Sequence, residues 1–321
     1  MTGACPARSG VERVERLAAE LRERKVDVLL VATPVNLRYL TGFTGSHGLA
    51  LLAAEGAISA VSRNRLFTDF RYATQSAEQA PEQFEREIVT GSLLEAAARS
   101  LCAAKGRLGF DEESLSVSAH TRLRELLPET WELVPCAGAV ERLREQKDVG
   151  ELARIRAATE LADEALEGLL EEGVVGRTER EVAIELELRM RRLGAEAASF
   201  PSIVAAGAHG ALPHAEPRGE RIPSDVLLTI DWGARLEGYC SDCTRTYATG
   251  EGISEQAREV YELVLSAQQQ ALAAVEAGPS GRELDAVARA VIEEAGHGDH
   301  FGHGLGHGVG MEVHEIGRAH V

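Results

Sequence analysis

An α/β domain over residues 10–139, followed by a second domain of long helices and a strand-rich segment over residues 148–315, is the fold class the sequence predicts. Three observations predict it. Short apolar runs alternate with amphipathic helical patterns in the first part, as in βα units. The pattern changes to a long amphipathic helical run near Lys147, which marks a boundary. The chain of 321 residues with 44% hydrophobic content is long enough for two cores.

The elements follow in order. VERVERLAAELRERK (11–25) is the first helix, and VDVLLVA (26–32), LALLAAE (49–55) and AISAVS (57–62) are strands. LLEAAARSLCAAKG (93–106) is helical again, so a mixed sheet with helices between its strands is expected. Residues 138–172, GAVERLREQKDVGELARIRAATELADEALEGLLEE, read as one helical run with Leu143, Val149, Leu152 and Ile155 at helical spacing. REVAIELELRMRRLG (180–194) forms a further helix, residues 202–247 are strand-rich, and residues 255–277 are helical.

Composition excludes several functions. A net charge of −17 opposes nonspecific binding to nucleic acid or to anionic lipid. The apolar runs are far shorter than the ~20 residues of a membrane helix, so no span is expected. The first residues, MTGACPARSGVERVERLAAELRERK, have no apolar core of signal-peptide type. The five cysteines are odd in number and scattered, which fits a reduced, cytoplasmic protein.

Chemistry concentrates in two places. In DVLLTIDWGARLEGYCSDCTRTYATG (225–250), two β-rich runs flank Arg235-Leu236-Glu237-Gly238 and predict a hairpin. A turn centred between Leu236 and Glu237 sets Asp231 directly opposite Asp242, with Cβ atoms about 4.5–5.5 Å apart. Two charges about 4 Å apart repel by roughly 4 kcal/mol at an effective dielectric near 20, which calls for a cation between them. A register slipped by one residue remains open, and it turns Asp242 to solvent.

The second place is FGHGLGHGVGMEVHE (301–315). Glycine at every second position from Gly302 to Gly310 costs roughly 1 kcal/mol per residue in a helix. An extended segment is expected, with His303 and His307 on one face and a glycine face open to close approach. A lone histidine is usually structural. Joined to a carboxylate pair, these imidazoles point instead to Mn²⁺, Co²⁺, Fe²⁺ or Zn²⁺ rather than Ca²⁺. Two bridging carboxylates suggest two ions about 3.5–4 Å apart.

The segments DWGARLEGYCSDCTRTY and HGLGHGVGMEVHE together resemble the pita-bread metallopeptidases, in particular the Xaa-Pro aminopeptidases and Xaa-Pro dipeptidases. NLRYLTGFTGS (36–46) is similar to the creatinase/prolidase-type amino-terminal domain of that family, and FPSIVAAGAHGALPHAEP (200–217) to the approach to its metal hairpin. The resemblance implies an α+β pita-bread catalytic domain holding two divalent metal ions, Mn²⁺ first and Co²⁺ or Zn²⁺ as alternatives. It implies metal ligation by Asp231, Asp242 and His307. His214 would contact substrate and help proton transfer, and His303 and His314 would line the pocket near the scissile bond. Proline-containing peptides are the implied substrates, and a homodimer the implied assembly. The bond before proline is a tertiary amide without an N–H, which ordinary peptidases handle poorly. Between the two activities we lean to the aminopeptidase, with the dipeptidase as alternative. A non-catalytic binding module of the same fold is the reading from another class, and the presence of all three ligands argues against it.

Other motifs carry less. Cys240 and Cys243 have C-x-x-C spacing, but on a predicted strand rather than opening a helix, and no second pair exists for zinc. No G-x-G-x-x-G can be drawn through the glycines at 302–310. Arg245 reads equally as an ion-pair residue, and Tyr39 and Arg38 as core or turn residues. The family pattern continues past Glu315 to two further glutamates, the first implied to be the general base, and the sequence carries neither. Ile316-Gly-Arg-Ala-His-Val321 is what a common sequencing-adapter run encodes, so a truncated catalytic domain with an adapter-derived tail over 316–321, inactive as written, is expected.

Overall fold

The structure, a computed structural model, describes residues 10–54 and 63–315. The strand expected at 57–62 and the tail at 316–321 lie outside the described residues. The chain divides into two units between Asp148 and Val149.

In the first unit, Val14, Leu17 and Leu21 of α1 (Gly10–Glu23) recur at helical spacing and are buried. All four residues of β1 (Val28–Val31) are buried, because the strand pairs on both sides. α2 (Pro34–Thr41) starts on a proline and stops at Gly42, whose φ of 72° a helix cannot continue through. β2 (Gly48–Ala53), β3 (Asn64–Thr68), α3 (Ala73–Gln79), β4 (Phe84–Ile88), α4 (Leu93–Leu101), β5 (Gly106–Phe110), α5 (Val117–Leu126) and β6 (Trp131–Pro135) follow. Among the described residues, these six strands form a mixed sheet in the order β4-β3-β2-β1-β5-β6. Charged Glu85, Arg86 and Glu87 keep the exposed edge strand β4 from pairing further. Tyr39 is a core residue, its ring under the Arg13 guanidinium at 4.3 Å and its hydroxyl donating to the Leu143 carbonyl.

The single helical run expected over 138–172 is two helices, α6 (Glu141–Glu145) and α7 (Val149–Glu171). The chain turns extended at Gln146, and two residues on the buried Asp148 carboxylate takes a hydrogen bond from Arg13 at 3.2 Å. Satisfying that buried charge outweighs continuing the helix.

The second unit packs α7 and α8 (Glu179–Arg192) over two small sheets. α8 begins in a capping box between Thr178 and Glu181. β7 (Ala197–Ala198), β8 (Ile203–Ala206), β9 (Leu227–Trp232), β10 (Ala234–Leu236), β11 (Tyr239–Cys240) and β12 (Cys243–Ala248) assemble as β12-β9-β8 and β11-β10-β7. Along β9, Leu228, Ile230 and Trp232 are buried, and the Trp232 indole donates to the Ala162 carbonyl of α7. Side chains alternate along a strand, so burying these three turns Asp231 to the opposite face. α9 (Glu255–Ala273) and α10 (Gly281–Glu294) then pair through Ala267, Ala271, Ala288 and Ile292. Among the described residues, no helix is long and apolar enough to cross a membrane.

Candidate metal and active site

The hairpin forms, but its turn sits one residue later than expected. Glu237 and Gly238 are the central residues, with φ of 49° and 81°, and Leu236 pairs with Tyr239. A two-residue hairpin turn of this kind needs positive φ twice, and glycine takes the second place without strain, whereas the earlier turn would force Leu236 there. Asp231 therefore stands opposite Thr244, not Asp242. Neither register read from the sequence is realised. Asp242 precedes Thr244 by two residues, so it keeps the face of Asp231 as a diagonal neighbour rather than turning to solvent.

Asp231, Asp242, His214, His303, His307 and His314 all line one cavity of about 590 Å³, with Phe200, Leu305 and Val313 among its apolar walls. The histidine segment is not the expected strand. Residues 301–307 are irregular, and Gly308 makes a single bridge to Glu315. Close approach to glycine occurs at Gly310, where a Cβ would lie 2.6 Å from the Glu315 carboxylate, whereas Gly302 and Gly306 have open space. Glu315 accepts from the Met311 amide at 2.8 Å and so folds the loop back on itself.

The two imidazoles are set alike. His303 Nδ1 lies 2.9 Å from the Gly304 carbonyl and His307 Nδ1 lies 3.1 Å from the Gly308 carbonyl. A carbonyl only accepts, so each ring donates through Nδ1, and Nε2 is the nitrogen left to serve a ligand in the pocket. His307 Nε2 is 3.3 Å from Asp242 Oδ2, and the His314 ring packs edge-on against His307 at 4.4 Å.

The carboxylates fit a cation. Asp231 Oδ1 is buried with no hydrogen-bond partner. Burial, with the Asp242 charge adding to it against a hydrogen bond from Thr244, pushes the Asp231 carboxyl up to about 6. Burial raises Asp242 as well, opposed by His307 and His314. Among the described residues, no three His, Cys, Asp or Glu side chains converge to metal-binding distance. A buried carboxylate oxygen without a hydrogen-bond donor, in one cavity with a second carboxylate and an imidazole, is a donor set that suits a cation. Asp231, Asp242 and His307 are the residues that would hold it.

Cys240 and Cys243 are free, and burial pushes both thiols up, the reverse of a redox thiolate.

Sequence reading missed Glu179. Its carboxylate accepts from the Ala206 amide at 2.9 Å and the Arg218 amide at 3.0 Å, and His209 Nδ1 lies 2.9 Å away. It thus ties both ends of the loop carrying His214 to the start of α8. The available signal was the helix start Thr178-Glu-Arg-Glu181, in which Glu179 is the first helical residue. Burial opposes its ionisation, but the backbone donors with His209 and Arg218 hold the carboxyl below its usual range. A depressed folded value contributes stability above the unfolded value near ~4.3, lost as pH falls through the folded one. Glu179→Gln should therefore cost ~1–3 kcal/mol at pH 7 and progressively less below pH ~4. Urea unfolding at both pH values measures this, and an equal loss at each would contradict the ionic role.

Residues 153–320 match the model of metallopeptidase family M24, and residues 13–146 match the creatinase/prolidase N-terminal domain. The chain is 39% identical over 304 residues to the uncharacterized peptidase YqhT of Bacillus subtilis, covering 94% of this chain and 83% of that protein. It is 34% identical over 304 residues to an Xaa-Pro dipeptidase of Pyrococcus furiosus, covering 95% and 83%. A solved Xaa-Pro dipeptidase from Bacillus anthracis superposes with a TM-score of 0.90 at 36% identity, covering 97% of this chain and 85% of that one.

Proposed function

We propose that this chain, which belongs to metallopeptidase family M24, is part of a peptidase that hydrolyses the Xaa-Pro bond of dipeptides, with Asp231, Asp242 and His307 among the ligands of two divalent ions. The observation that carries the metal reading is the buried, unpartnered Oδ1 of Asp231 in the same cavity as Asp242 and His307, whose Nε2 faces Asp242 Oδ2 at 3.3 Å. Bound there, divalent ions supply an activated water and Lewis acidity toward the scissile carbonyl. The protein's own groups do the rest. Phe200, Leu305 and Val313 offer an apolar wall suited to a pyrrolidine ring. His214, exposed along the cavity lining, exchanges a proton with the reacting groups, while His303 offers Nε2 to the substrate. His314, packed against His307, limits rotation of that ring and faces the same space.

The dipeptidase reading replaces the aminopeptidase preferred from sequence. Substrate length was unreadable there, and the relatives from Pyrococcus furiosus and Bacillus anthracis are both named Xaa-Pro dipeptidases. Mn²⁺ is the proposed ion, since mixed oxygen and nitrogen donors suit it. The test is hydrolysis of Ala-Pro against Ala-Pro-Ala with Mn²⁺ added. Preference for Ala-Pro is expected. Preference for the tripeptide would restore the aminopeptidase, and no cleavage of either by a protein that continues past Glu315 through both glutamates would remove the Xaa-Pro reading.

A further inference from the structure

Two of the pocket histidines, His303 and His307, sit on a stretch that neither helix nor strand fixes. A Cβ built on Gly302 or Gly306 beside them would meet open space, so side-chain packing at these two positions does not fix the backbone. An imidazole must nevertheless be held within about 0.5 Å of its working position to ligate or to transfer a proton well. The restraint has to come from outside the segment, and it comes from one helical turn of α10.

Asp285 and Arg289 form a bidentate ion pair, Nε to Oδ2 at 2.8 Å and Nη2 to Oδ1 at 3.2 Å. Asp285 is 5% exposed. The remaining capacity of both groups is spent on the histidine segment. Asp285 Oδ1 accepts the Leu305 amide at 2.8 Å, Arg289 Nη1 donates to the Phe301 carbonyl at 2.7 Å, and Nη2 donates to the His303 carbonyl at 3.0 Å. The guanidinium also lies 4.5 Å from the centre of the Phe301 ring, against which His303 packs edge-on at 5.0 Å. Three backbone groups at alternate residues are thereby gripped, with His303 in the middle and His307 two residues beyond the last. An ordinary surface i,i+4 pair would contribute little and touch no other element. This one is largely buried, which costs desolvation that only the extra hydrogen bonds offset.

We propose that the Asp285–Arg289 pair is a positioning device that orients His303 and His307 in the pocket by clamping the backbone of residues 301–305. The inference rests on the functional reading above for what those histidines do. The planar guanidinium serves three acceptors at once from a fixed fork, and a lysine ammonium at the same place cannot reproduce that geometry.

The experiment compares the full chain with Arg289→Lys and Asp285→Asn. Arg289→Lys retains the charge and helix propensity, so its circular dichroism should match the parent. Two readouts follow. In the metal-free protein, the His303 and His307 imidazole carbon–proton signals, assigned by single replacement, should be sharp in the parent and broadened or doubled in Arg289→Lys. By calorimetry, Mn²⁺ affinity should fall ~10–100-fold in Arg289→Lys, the usual effect of losing a group that orients ligands. Asp285→Asn keeps an acceptor for Leu305 but loses the ion pair, so it should broaden the same signals and weaken Mn²⁺ less. Folded variants with parental imidazole signals would overturn the clamp. A parent that binds no Mn²⁺ would instead remove the metal reading, and the imidazole signals would still decide the clamp.

Discussion

Asp231→Asn is expected to abolish turnover while raising the melting temperature of the metal-free protein. The two effects have one origin. Asp231 Oδ1 is buried without a partner, and the Asp242 carboxylate on the same face repels it. At the ~8 Å of a cross-strand diagonal, that repulsion is on the order of 2 kcal/mol at an effective dielectric near 20. Asparagine keeps the shape and removes the charge, so the metal-free fold should gain ~1–2 kcal/mol, or a few degrees in melting temperature. The ions supply several kcal/mol of transition-state stabilisation, and at roughly 1.4 kcal/mol per decade their loss lowers kcat/KM by ~10³-fold or more. Calorimetric melting after dialysis against chelator, alongside Ala-Pro hydrolysis, measures both. A metal-free Asp231→Asn protein less stable than its parent would show that the carboxylate is a structural group.

The second large effect separates holding metal from handling protons. His307→Ala removes the nitrogen that faces Asp242 Oδ2 at 3.3 Å, and bound metal should be lost with activity. His214→Ala should leave the metal content unchanged and lower kcat by ~10²–10⁴-fold, the usual contribution of an acid–base group. Elemental analysis of each purified variant decides between them. Undiminished metal in His307→Ala would sink the ligand assignment, and metal lost from His214→Ala would move that residue into the ligand set.

Much of this was legible in the residues. The apolar run at 26–32 gave a central strand because every residue of β1 is buried on both faces, a pattern needing no knowledge of partners. The hairpin was visible for the same local reason, and its register was not, because one residue of turn placement decides it. Gly238 was the available clue: a glycine belongs at the second central position, and the turn follows it there. The face of Asp242 survived the misplacement because the shift moved the partner by two residues, one full side-chain period. The break before α7 could not be read, since it depends on Arg13, distant in sequence, drawing in Asp148. The loop at 301–315 was misread as extended because alternating glycine and histidine mimics a strand pattern, while its shape is set by Glu315 and by α10. α10 itself had a signal, the capping box Ser280-Gly-Arg-Glu283, with Asp285 and Arg289 at i,i+4 behind it. What local pattern cannot supply is the second layer of residues that hold the first.

The claim that Asp231, Asp242 and His307 hold the metal is tested most directly by anomalous scattering from a crystal of the protein soaked in Mn²⁺. Two peaks about 3.5–4 Å apart are expected, with Asp231, Asp242 and His307 each placing a donor atom within about 2.0–2.5 Å of one of them. Mn²⁺-dependent hydrolysis by a protein whose only anomalous peaks lie away from these three side chains would contradict it.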